Sequence, residues 1–88
     1  MRECPHLLEA LALTIERLRK KQKLTKTALA NLSDLQDCYI RGITKGRRNP
    51  TITALYAICE ALGVPPDEFF RMVSAEMEVL GNAEKDTA

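Results

Sequence analysis

Residues 26–50 read KTALANLSDLQDCYIRGITKGRRNP. Two short segments with helical apolar spacing sit here, one buried through Leu29 and Leu32, the other through Ile40 and Ile43. Ser33-Asp34-Leu35 between them is polar with one apolar plug and reads as a tight turn. Thr25 is a good N-cap for a helix from Lys26 to about Leu32. The second helix is expected from roughly Gln36 to Lys45, with Gly46 placed to stop it. Arg47-Arg48-Asn49-Pro50 is then a basic loop.

Outward from this pair the pattern stays helical. Leu8, Leu11, Ile15 and Leu18 recur at spacings of three and four and predict a first helix over Leu7–Lys21, with bases in its last turn. Thr51 caps a helix over Ile52–Leu62, buried through Leu55, Ile58, Cys59 and Leu62 and ended by Gly63. Pro65-Pro66 opens a fifth helix, where Asp67 and Glu68 suit the dipole. Its apolar side chains Phe69, Phe70, Val73, Met77 and Leu80 fall at helical spacing. Residues 1–80 therefore form one all-α domain of five helices with a C-terminal helix extension, and 81–88 are expected as a frayed, disordered tail.

Composition narrows the function classes. The chain has 88 residues, one domain's length, with 45% hydrophobic residues, an ordinary share for a globular chain. No apolar run reaches the ~18 residues of a bilayer span, so no membrane partner is expected. Three cysteines, Cys4, Cys38 and Cys59, are too few for a disulfide scaffold and suit a reducing cytoplasm. Cys4-Pro5-His6 offers only two potential metal ligands, and Cys59 reads as core. The sole His lies near the N-terminus, and neither a paired-carboxylate nor a nucleophile motif appears. Neither an enzyme nor a cofactor or metal site is expected.

The formal net charge of +1 hides a sharp asymmetry. Arg17 to Arg48 holds ten bases against two acids, a local +8, and the remainder carries −7. A polyanion is drawn to the middle of the chain and repelled by its ends. Two short helices joined by a tight turn and framed by cations form a helix-turn-helix arrangement, whose second helix fits a major groove. Cys38 on that helix reads as a small contact residue in preference to a redox sensor.

Residues 29–70, LANLSDLQDCYIRGITKGRRNPTITALYAICEALGVPPDEFF, closely resemble the phage-repressor and Cro type (XRE-family) helix-turn-helix domain, and the likeness extends back to about Leu8. Its most specific parts are Leu29-Ala30, Ile40 with Ile43, Gly46 to Pro50, and Ala61-Leu62-Gly63-Val64. The resemblance implies a five-helix DNA-binding domain that regulates transcription as a dimer. It also implies that bases are read by Asp37, Cys38, Arg41 and Gly42, with Tyr39 beside them. Arg41 would take a guanine bidentately, Asp37 would accept from a cytosine amino group, and Tyr39 would touch a phosphate or a thymine methyl. Lys26, Lys45, Arg47, Arg48 and Asn49 are the implied phosphate contacts.

The sequence departs from the family pattern at four places. Asp34 stands where Gly usually takes the turn, Gln36 where Ser or Thr usually caps, and Gly42 lies inside the recognition helix. Thr44 replaces a frequent Glu, so Arg19 is expected to lack its usual partner. The outer half of the fifth helix extends past the family's globular part, which suggests a subunit contact through Phe69, Val73, Met77 and Leu80. The resulting expectation is a repressor- or controller-type homodimer on a palindromic DNA operator, with control exerted through concentration, dimerisation or a partner. The alternative is a protein-interaction module of antitoxin or anti-repressor type on the same fold.

Overall fold

A computed structural model describes residues 4–87, which form α1 (Leu7–Lys21), α2 (Lys26–Ser33), α3 (Asp37–Thr44), α4 (Ile52–Leu62) and α5 (Pro66–Thr87). Local signals set the starts of α2 and α4 and the ends of α2 and α3. Thr25 Oγ1 accepts from the Ala28 N–H at 2.9 Å to start α2, and Thr51 Oγ1 accepts from the Ala54 N–H at 3.1 Å to start α4. Asp34 closes α2 in the left-handed region (φ 56°), the conformation that favours Gly there, and the Leu35 N–H returns to the Ala30 carbonyl at 2.9 Å. Gln36 begins α3 without a side-chain cap, and Gly46 (φ 71°) takes the chain out of it.

The core draws on every helix: Leu11 and Ile15 of α1, Leu29 and Ala30 of α2, Ile40 and Ile43 of α3, Leu55, Ile58, Cys59 and Leu62 of α4, and Phe69 and Val73 of α5. Burial raises the Cys59 thiol's pKa, consistent with a packing role. α2 turns differently from the expected face. Leu32 is 61% exposed, and Ser33 takes the buried place with its hydroxyl donating to the Leu29 carbonyl at 2.7 Å. At about 100° per residue, Leu29, Ala30 and Ser33 share one stripe, and Leu32 falls beside it.

α1 and α5 pack along their length and are tied by an Arg17–Glu76 ion pair. α5 does not stop at Leu80: residues 81–87 continue the helix, which corrects the expected disordered tail, while Ala88 lies outside the described residues. Gly81 costs a helix only about 1 kcal/mol, and no Pro follows it. Glu84 Oε2 also lies 2.6 Å from His6 Nε2 across the α1–α5 contact. Arg19 finds other partners than the family's, pairing with Glu16 and donating to the Leu24 carbonyl at 2.7 Å. No helix among the described residues is long and apolar enough to cross a membrane.

Candidate nucleic-acid interface

α3 buries Ile40, Ile43 and Thr44 against α1 and α2 and turns its other face outward. Cys38, Arg41 and Lys45 are exposed on that face, and Arg47, Arg48 and Asn49 are exposed on the loop that follows. The outward face of α3 thus carries cations at its C-terminal flank. Lys26 lies at the start of α2, half-buried, with its ammonium 3.4 Å from Glu16 Oε1.

The five residues read as base contacts divide into two groups. Cys38 and Arg41 are outward, the Cys38 thiol reaching only the Gln36 amide oxygen at 3.7 Å. The other three are engaged within the protein. Asp37 Oδ1 accepts from the Thr27 hydroxyl at 2.9 Å, and its Oδ2 accepts from Arg41 Nε at 2.5 Å. The bond from Arg41, aided by that from Thr27, holds the Asp37 carboxyl below its usual range. Tyr39 is a strut: its hydroxyl accepts from the Thr51 N–H at 3.1 Å, and its ring lies 5.2 Å from the Arg48 guanidinium carbon.

Gly42 supplies space in place of a contact. A Cβ there would stand 3.2 Å from the Arg48 Cβ, so the missing side chain lets the loop close on α3. The Arg47 N–H bonds the Gly42 carbonyl at 2.9 Å, completing that closure. Gly42, Tyr39 and Arg48 thus form one unit joining α3, the basic loop and the cap of α4. Sequence spacing places these residues on one helix but carries no sign of that cross-loop stack.

The expected subunit surface on α5 needs correction. Phe69 and Val73 are 0% and 2% exposed within this chain, so their apolar area is already used. Met77 and Leu80 are half-buried against the same core. The outward apolar side chains of α5 are Val79, 61% exposed, and Phe70, and on α4 Ile52 and Tyr56 are 65% and 56% exposed. Tyr56 borders a shallow depression of about 470 Å³ that Ala57, Val64 and Pro66 also line. The signal for this face was the i,i+4 pair Ile52 and Tyr56, out of phase with the buried stripe of α4.

The helix-turn-helix family matches residues 15–69. The chain is 40% identical over 48 residues to an uncharacterized HTH-type transcriptional regulator, y4dJ, of Sinorhizobium fredii, covering 54% of this chain and 62% of that protein. It is 38% identical over 50 residues to the immunity repressor protein of Bacillus phage phi105, covering 57% and 35% respectively. The chain thus spans less than two thirds of either curated relative. Among solved structures, it resembles the restriction-modification controller protein C.Esp1396I, crystallised as a tetramer with its natural 35-base-pair operator. That likeness has a TM-score of 0.77 at 35% identity and covers 85% of this chain and 97% of the controller protein. By matched residues, sequence and fold, the chain belongs to the helix-turn-helix family of the phage-repressor and Cro (XRE) type.

Proposed function

We propose that this protein binds double-stranded DNA in a sequence-dependent way and regulates transcription in the cytoplasm as a repressor or controller. The observation that carries the reading is α3, whose inner face is locked into the core and whose outer face presents Arg41 and Cys38 beside exposed cations. In this mechanism α3 enters the major groove and Arg41 takes a guanine. Lys45, Arg47, Arg48 and Asn49 hold the backbone on one flank and Lys26 on the other. Phosphate contacts fix the register, and the few outward side chains of α3 supply discrimination.

One such module reads few base pairs, so useful selectivity calls for two copies on a palindrome with half-sites about 34 Å apart. The operator-bound tetramer of the controller protein supports a site built from repeated half-sites. The contact between copies is assigned to the outward apolar face of Ile52 and Tyr56; Met77 and Leu80 are half-buried against the core, and Phe69 and Val73 lie within it. Selection of bound duplexes from a random pool tests the proposal. A palindromic consensus with half-sites one helical turn apart is expected, and an unenriched pool contradicts it.

A further inference from the structure

We propose that Asp37 is a specificity-determining positioning residue, which through Thr27 and Arg41 aims the arginine at one base pair and withholds it from phosphate. The inference rests on the reading of α3 as the base-reading helix. A half-exposed acid at the start of that helix repels DNA, so it lowers affinity unless its charge is put to another use.

The geometry supplies that use. The Arg41–Asp37 bond runs through Arg41 Nε at 2.5 Å, so one edge of the planar guanidinium is taken. The described residues give its two terminal nitrogens no partner, and these are the groups that reach guanine O6 and N7 as a pair. The carboxylate is itself anchored outside α3, because its other oxygen accepts from Thr27 of α2 at 2.9 Å. An ordinary i,i+4 ion pair on a helix surface swings with both side chains, whereas this one is tied to the preceding helix.

Charge makes the same point. A lone Arg41 would be attracted to any phosphate within reach, adding to sequence-independent binding. Paired with Asp37 it is neutral overall, and its directed N–H groups remain available to a base edge. The exposed Lys45, Arg47 and Arg48 already serve the backbone, so Arg41 is free for discrimination.

The test uses the full chain with the selected duplex, its single-base-pair variants and a random duplex. Asp37→Asn is expected to raise affinity for the random duplex and steepen its salt slope by about one. The preference at one base pair should fall about tenfold. Thr27→Val, which changes no charge, should lower the same preference while leaving the salt slope alone. In the Arg41→Ala background, Asp37→Asn should leave the preference unchanged. If Asp37→Asn shifts all duplexes equally while Arg41→Ala abolishes the preference, the positioning role is overturned and base reading stands. If Arg41→Ala itself leaves the preference intact, base reading by Arg41 fails and the inference falls with it.

Discussion

Replacing Phe69 with Ala asks whether α5 belongs to the core of one chain or to a contact between two. Phe69 is fully buried and packs among side chains of the common core, with the Phe70 ring meeting it edge-on at 5.6 Å. Truncating such a ring costs about 3–5 kcal/mol in lost transfer energy and residual cavity. A domain of this length has a total stability of about 4–13 kcal/mol, so the change consumes much of it. Each kcal/mol lowers the melting temperature of a domain this small by about 4–8 °C, giving a fall of about 12 °C or more. Thermal unfolding followed by circular dichroism, at two protein concentrations tenfold apart, reads the effect. The fall should appear at both concentrations, and Phe69→Leu, which keeps most of the volume, should cost about 1.5 kcal/mol or less. A melting temperature within about 3 °C of the parent, together with weakened self-association, would place Phe69 at an interface and refute the core assignment.

Asp34→Gly should stabilise the protein by about 0.5–1 kcal/mol, because the left-handed turn penalises an L side chain more than Gly loses in the unfolded chain; a higher urea midpoint at unchanged m checks this. Arg41→Ala should cost about 1–3 kcal/mol at one base pair, whereas Arg47→Ala should weaken all duplexes alike, as competition binding would show. Tyr56→Asp should shift the sedimentation profile towards monomer more than Met77→Asp, since Tyr56 is the more outward; the reverse order would return the subunit contact to α5. The Asp37 carboxyl should titrate below its usual 3.8 and rise towards that value in Arg41→Ala. The pair's contribution to stability is therefore present above the usual value and lost as pH falls through the lowered one, which a carboxyl-detected titration follows.

The helix pattern was legible because its signals are local. Thr25 and Thr51 cap where their side-chain oxygens predict, and the bounds of α1 and α4 follow from apolar spacing, the first-helix lysines and Gly63. Leu32 was misread because an eight-residue helix holds too few turns to phase its stripe, and a serine satisfied by its own backbone displaced a leucine. The end of α5 was misread because a glycine weakens a helix only modestly, while the packing that extends it comes from α1, far away in sequence. At the candidate interface, residue types and spacing pick out α3 and its cations. The Asp37–Thr27 bond, the stack of Arg48 on Tyr39 and the space at Gly42 depend on how separate segments meet. No periodicity encodes those meetings.

Salt dependence of duplex binding separates a DNA reader from a protein-interaction module on the same fold. With about four cations per protomer on phosphates and two protomers bound, affinity for the selected duplex should fall roughly 10³- to 10⁵-fold between about 50 and 200 mM salt. Affinity that is flat across that range, or no duplex binding at all, would contradict the assignment of α3 to the major groove.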